Sequence, residues 1–335
     1  MFNLFAFLIV HANLRPIDFN REAANAIKIK SLILQHPTLH RHVVVPEVDL
    51  SRTTGRVLTM EFMEGVKIKN VPEEDRQIAA QTVLDLFSAM FFTFGFVHCD
   101  PHFGNFLVTK RSKEHPDPRL VLLDHGLYRQ LDDGFVQNNG LLWRSMITSD
   151  KKNIRKSMEL MGIPQYTDLF PLLLTNRPIS SKARLGDAIS KAELNEAKKL
   201  VGFGKGLSIG KFLMMADGLP VDMLFVLRTM HLIKDLHRGL GGENRDRFYT
   251  YGKAASAAPD SVPARTVSGT WRIFKFNTGF QLHEFLLGAQ GKLFGWVPTS
   301  IPSLGGKRES ESSGTRFSIS QLVSESYEGG GASKP

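Results

Sequence analysis

Cysteine is almost absent from this chain: Cys99 is the single one in 335 residues. That excludes an intrachain disulfide scaffold and a C-x-x-C metal site. Long apolar runs are lacking too, with no stretch of the ~20 apolar residues that a spanning helix needs. The apolar start Met1–Val10 has neither the basic n-region of a secretory signal nor the Arg/Ser pattern of a transit peptide, and residues 1–15 are read as an unassigned leader. No arginine-rich arm or aromatic-interleaved basic stripe is present, so the net charge of +9 gives no reason to expect nucleic acid. Attraction to anionic lipid or phosphate ligands fits that charge. No internal repeat is evident.

What the chain does contain is enough apolar material, 42% of its residues, for a core. Pro16 to His36 reads as a helix that Asp18 can cap. Val43–Val45 and Arg56–Met63 read as strands, the second closed by Glu64-Gly65. Glu73 to Phe94 is the clearest helix: Ala79, Val83, Leu86, Phe87, Met90 and Phe94 fall on one face, and Gly95 ends it. Phe106–Val108 and Leu120–Leu123 flank a polar turn and look like a small hairpin. Beyond the cap candidates Asp132 and Asp133, helices are expected over 133–148, 151–161, 187–200, 208–217 and 220–237. Residues 251–269 read as a linker, 270–298 as a helical extension and 299–335, rich in Ser, Gly and Glu, as a disordered tail.

The informative stretch is His98-Cys99-Asp100-Pro101-His102-Phe103-Gly104-Asn105, followed by Leu122-Leu123-Asp124-His125-Gly126. Protein kinases use this order, H-x-D-x-x-x-x-N and then D-x-G, for a base and two metal ligands. Pro101 forbids a continuing helix, so the motif sits on a loop between a helix and a strand. In this reading Asp100 orients or deprotonates a substrate hydroxyl, with His98 bracing the loop beside it. Asn105 and Asp124 offer the hard oxygens that Mg²⁺ prefers. His98, Cys99, Asp100 and His102 also invite a zinc reading, but Pro101 prevents the helical presentation of an H-x-x-x-H pair. Cys99 stands where many kinases carry an arginine that meets an activation-loop phosphate, so no such phospho-switch is expected.

These residues closely resemble the UbiB/aarF-domain family of atypical kinases, related to the coenzyme Q-linked ABC-one proteins. The family motif is H-x-D-P-H-P-G-N then D-H-G, and this chain departs from it at Phe103. The run Asp124-His125-Gly126-Leu127-Tyr128 is similar to the mitochondrial branch of the family. Asp18-Phe19-Asn20-Arg21-Glu22-Ala23-Ala24-Asn25 resembles its D-F-x-x-E-A-x-N helix, which makes Glu22 similar to the glutamate that pairs with the nucleotide lysine. Val57–Gly65 resembles its hinge, where backbone groups of Glu61, Phe62 and Met63 meet adenine.

The resemblance implies an α+β, protein-kinase-like fold over residues 16–250, with a mostly helical C-lobe and a partial small lobe. It implies ATP and Mg²⁺ as cofactors, a phosphotransferase or ATPase activity, and mitochondrial lipid or coenzyme Q homeostasis. A K-x-G-Q motif, an alanine-rich loop and a lysine-bearing strand belong to the family pattern and are not found here. Lys28 and Lys30 lie on the Glu22 helix itself. The chain is therefore read as N-terminally truncated and expected to show no Mg²⁺-dependent ATP hydrolysis by itself. A pseudokinase or lipid-handling scaffold without turnover is the alternative. An isoprenoid or phospholipid is then the expected ligand, and Trp271, Phe274, Phe276, Phe285, Phe294 and Trp296 offer peripheral membrane contact. Small-molecule kinases of the aminoglycoside or choline type share the first motif, but Pro101-His102 and Asp124-His125-Gly126 favour the aarF reading.

Overall fold

The computed structural model describes residues 18–258 apart from 114, 176–177, 179–189, 194 and 196–217. The helices expected over 187–200 and 208–217, the leader, the C-terminal extension and the tail therefore fall wholly or largely outside the described residues.

The first helix, α1, spans Phe19–Gln35, and Asp18 caps it by accepting from the Asn20 amide at 3.0 Å. Its inward face is Ala23, Ala26, Ile29 and Ile33, the spacing of an amphipathic helix on a core. A single turn, α2 (Leu39–His42), leads into β1 (Val43–Val44). Residues 47–61 depart from expectation. Instead of a strand over Arg56–Met63 there are two isolated bridges, Val48 with Met60 and Thr54 with Val57. Threonine hydroxyls take over the backbone partners: Thr53 donates to the Asp49 carbonyl and accepts from the Thr59 amide, while Thr59 donates to the Arg52 carbonyl. Such side-chain bonds compete with a ladder. The sheet position belongs instead to β2, Val66–Lys67.

Helix α3, Glu73–Ala89, opens with Glu73, Glu74 and Asp75, which suit the positive end of a helix dipole. The expected 73–94 helix is not uniform, because Met90–Phe94 forms a π-turn. Gly95 then closes it with φ +60, a left-handed conformation that glycine adopts without strain. Among the described residues, Glu73–Phe94 is the one run long and apolar enough to cross a membrane, with mean hydropathy 1.2. It is a run of the kind the sequence reading did not find. Two thirds of it (67%) is buried inside the fold, as in the central helix of a core. Phe91, Phe92, Trp143 and Tyr251 pack there edge to face, the Trp143 and Tyr251 rings 5.0 Å apart.

After the π-turn come β3 (Phe96–His98), β4 (Phe106–Val108), β5 (Leu120–Leu122) and β6 (Tyr128–Gln130). One sheet has the order β1-β5-β4-β2, with β1 parallel to β5 and the other pairs antiparallel; β3 and β6 form a second, antiparallel pair. The expected hairpin is β4–β5, with Phe106 facing Leu122. The rest is helical: α4 (Asp133–Ile147), α5 (Lys151–Leu160), α6 (Leu169–Thr175), α7 (Val221–Gly239) and α8 (Asn244–Ala257). Asp132 caps α4 through the Phe135 amide at 2.7 Å. Helix α8 runs on to Ala257, so the first part of the expected 251–269 linker is helix: Phe248, Tyr251 and Ala255 are buried and hold it in the core.

Candidate functional site

Two loops make the site. Residues 99–105 join β3 to β4, and residues 123–127 join β5 to β6. Three bonds fasten them together. The Cys99 amide donates to the Leu127 carbonyl at 2.9 Å, His98 Nδ1 donates to the same carbonyl at 3.3 Å, and the Leu123 amide donates to the Asn105 carbonyl at 3.0 Å. The β4–β5 register thus continues one residue past the strand and sets Asn105 beside the residue preceding Asp124.

Within the first loop Asp100 has a fixed backbone. Its carbonyl accepts from the His102 amide at 2.9 Å and from Asn105 Nδ2 at 3.0 Å. That second bond leaves the Asn105 Oδ1 oxygen uncommitted. In the second loop Asp124 Oδ1 accepts from the Gly126 amide at 2.8 Å, a local turn that leaves Oδ2 uncommitted. Two oxygens without a hydrogen-bond partner among the described residues, on a buried Asn105 and a half-buried Asp124, match what Mg²⁺ takes from a protein when phosphates and water supply the rest.

Helix α1 grips the second loop. Glu22 Oε1 accepts from the His125 amide at 3.1 Å and Asn25 Nδ2 donates to the His125 carbonyl at 2.9 Å, so residues three apart on one helix face hold both sides of one residue. The Glu22 carboxyl is pushed up by burial, pulled down by the His125 amide and pushed up again by the Asp124 charge. Among the described residues its bonded partner is that amide, not a lysine. Lys28 donates to Gln130 at 2.7 Å and Lys30 pairs with Glu47, so both lysines of α1 are engaged elsewhere.

The histidines are structural in geometry. His125 Nε2 donates to the Leu122 carbonyl at 3.2 Å, and Nδ1 then accepts from the Tyr128 hydroxyl at 3.1 Å. Burial drives His125 down to about 4 and the Tyr128 phenol well up. His98 is fully buried, and its ring, likewise driven down to about 4 by burial, is neutral at pH 7. The set proposed for zinc faces separate surroundings: His98 lies in the core, Cys99 Sγ meets the Val97 carbonyl at 3.3 Å, and the His102 side chain is 52% exposed.

Comparison with known proteins accords with this geometry. Residues 11–158 match the ABC1 atypical kinase-like domain. The AarF domain-containing protein kinase 1 of Xenopus laevis is 31% identical over 247 residues, covering 70% of this chain and 45% of that protein. A probable serine/threonine-protein kinase, abkB, of Dictyostelium discoideum is 36% identical over 235 residues, covering 69% and 32%. The AarF domain-containing kinase 1 of Drosophila melanogaster is 29% identical over 282 residues, covering 78% and 53%. The chain carries an ABC1/AarF atypical kinase domain. It spans about a third to a half of the length of these curated relatives. The complex structure of Rv3197-erythromycin from Mycobacterium tuberculosis aligns with a TM-score of 0.45 at 17% identity, covering 70% of this chain and 59% of that one.

In the ABC1/AarF domain of this chain, Asp100, Asn105 and Asp124 come together on joined loops, with His98 behind them and Glu22 against the second loop. The hinge residues are less engaged. Glu61 accepts from the Glu47 amide at 3.1 Å through Oε2 and donates its own amide to the Glu47 carbonyl at 2.8 Å, while Phe62 is 87% exposed. Three contacts escaped the sequence reading. The Asn25 contact is one, and its spacing of three residues from Glu22 was the available signal. Arg228 on α7 donates to Asp100 Oδ1 at 3.2 Å. Phe103 lies against Gly239 of α7, where an added Cβ would stand 2.6 Å from the ring tip. Nothing in the sequence signalled either α7 contact.

Proposed function

We propose that this domain binds a Mg²⁺–nucleotide and that Asp100 orients a hydroxyl for phosphoryl transfer. One observation carries the reading: Asn105 and Asp124 sit on hydrogen-bonded loops, and among the described residues each keeps one side-chain oxygen clear of hydrogen-bond partners. Mg²⁺ held there would neutralise phosphate charge. The protein's own part is positional. Asn105 and Asp124 hold oxygens at a set spacing, Asp100 receives the hydroxyl proton, and α1 keeps the second loop from moving. Backbone groups of Glu61, Phe62 and Met63 are proposed to meet adenine.

The test is equilibrium binding of a fluorescent ATP analogue to the full chain with and without Mg²⁺. Asp124→Ala is expected to weaken Mg²⁺-dependent binding at least about tenfold, the loss of one charged ligand. Asp100→Ala is expected to leave binding intact and to abolish whatever phosphate release the chain shows. Affinity that ignores both Mg²⁺ and Asp124→Ala would sink the reading.

A second reading, nucleotide binding without turnover, is favoured by Glu22, whose carboxylate rests on the His125 amide. Mg²⁺-dependent binding with no Asp100-dependent phosphate release would select it. We further propose a role in mitochondrial lipid or coenzyme Q homeostasis, with an isoprenoid or phospholipid as acceptor or ligand and a peripheral membrane contact; the D-H-G-L-Y resemblance supports it. Organelle fractionation and co-purified lipid analysis test that part.

A further inference from the structure

We infer that Arg228 is a positioning residue for Asp100, fixing one carboxylate oxygen and leaving the other for a substrate hydroxyl. The inference rests on the reading of Asp100 as the hydroxyl-orienting carboxylate.

The backbone of Asp100 is already held by the His102 amide and by Asn105. Its remaining freedom lies in its side-chain torsions. Arg228 Nη2 donates to Oδ1 at 3.2 Å, while Oδ2 lies 3.9 Å from His102 Nε2, beyond hydrogen-bond reach. Among the described residues, then, one oxygen is hydrogen-bonded and the other meets only the His102 ring, at ion-pair distance.

Burial shows which partner is fixed. The Arg228 side chain is 9% exposed and that of Asp100 39%. Among the described residues Arg228 Nη1 is buried without a hydrogen-bond partner, and Asp100 is the carboxylate paired with this buried guanidinium. Among the described residues Asp100 is its one ion-pair partner, and a buried cation pins a partly exposed counter-charge, not the reverse.

The surroundings let Arg228 arrive there. Cys99, next to Asp100, is buried and small, and the Arg228 charge acts on it. An arginine at position 99, as many kinases carry, would place a second guanidinium beside the first. Helix α7 is itself fastened to the site at two further points, by the Arg129–Asp222 ion pair from β6 and by Phe103 against Gly239. The three contacts spread along the helix, so it can neither slide nor rotate without breaking one. Arg228 also lies beyond residues 11–158, the stretch that matches the family domain.

The test combines two readouts on the full chain. In ¹H–¹⁵N spectra the Arg228 guanidinium signal, assigned by its loss in Arg228→Lys, is expected to shift and exchange faster in Asp100→Asn. In a double-mutant cycle of Arg228→Met and Asp100→Asn, the unfolding constants are expected to show a coupling of about tenfold, within the range for contacting charged groups. Where Asp100-dependent phosphate release is present, Arg228→Met should lower kcat about 10- to 100-fold. Nucleotide affinity should stay within about twofold, with Arg228→Lys recovering part of the loss. Coupling below twofold with an unmoved guanidinium signal overturns the inference whatever the turnover. So does an Arg228→Met defect confined to nucleotide affinity. Coupling without any Asp100-dependent release supports Arg228 as the tether and counts against the catalytic reading of Asp100.

Discussion

Helices α1 and α7 each hold one of the two site loops, and they do it by different chemistry. Helix α1 grips the backbone of the Asp124 loop through Glu22 and Asn25 at His125. Helix α7 grips side chains of the Asp100 loop, through Arg228 at Asp100 and Gly239 beneath Phe103. A backbone grip needs particular polar residues at helical spacing but tolerates change in the residue it holds. A side-chain grip needs both partners and fails if either changes. The first leaves a motif in the sequence; the second leaves two isolated residues far from the loop they serve.

Acid should loosen the loop that α1 grips, and this is the largest expected effect. His98 and His125 are held down to about 4 by burial, below the ordinary 6.5. The unfolded chain therefore binds more protons than the folded one between these values. Stability is full above pH 6.5 and falls as pH drops toward 4, by up to about 1.4 kcal/mol per pH unit for each ring. Denaturant titrations at pH 7, 6 and 5 should show the fall, and His125→Asn should flatten it. His237 on α7 is also held down to about 4, so its replacement gives the control for the other helix. A fall that His125→Asn leaves unchanged and His237→Asn removes would place the acid sensitivity on α7 instead.

The next effect is the removal of a single gripping side chain. Asn25→Ala leaves the His125 carbonyl without its donor and should cost about 1–2 kcal/mol in unfolding free energy. Ser31→Ala, further along the same helix on its exposed side, should stay within about 0.5 kcal/mol. If both substitutions cost the same, α1 is only a packed helix and its backbone grip has no energetic content.

Much of this was legible in the sequence. The order His98, Asp100, Asn105, Asp124 placed both loops, and Glu22 and Asn25 lay in one quoted motif. The Ala79, Val83, Leu86, Phe87 face of α3 is buried as its period required, but Ala80, Leu84 and Ala89 are buried too, because the helix is central. Arg56–Met63 misled because its apolar content suits a strand, whereas Thr53 and Thr59 capture the backbone bonds a ladder would need. For α7 the extent of the helix was readable and its destination was not. Arg228 and Asp100 are 128 residues apart, and no local rule links them.

The Phe103–Gly239 contact sharpens the comparison at a smaller scale. Gly239→Ala gains helix propensity of up to about 1 kcal/mol. With Phe103 present, the new methyl meets the ring and should offset or reverse that gain, by about 1–3 kcal/mol of overpacking. In a Phe103→Ala background the gain should appear undiminished. Thermal unfolding of the four proteins measures the difference, and identical Gly239→Ala effects in both backgrounds would show that the ring simply swings away.

The smallest effect is on chemistry and not on stability, and it reports the α7 contact directly. Burial pushes the Cys99 thiol up from 9.0 to about 12, which lowers its thiolate fraction at pH 8 about a thousandfold. The thiol lies beside Thr229 and Arg228, where α7 crosses the loop. The native chain should therefore resist alkylation, with Cys99 as its only thiol. Substitutions that loosen α7 from the loop should expose it while the fold persists. Arg228→Met is expected to speed labelling, and Asn25→Ala, which loosens the other helix, is expected to leave it slow. Equal acceleration by both would mean that the two helices open together, and the distinction between their grips would then describe contacts without describing motion.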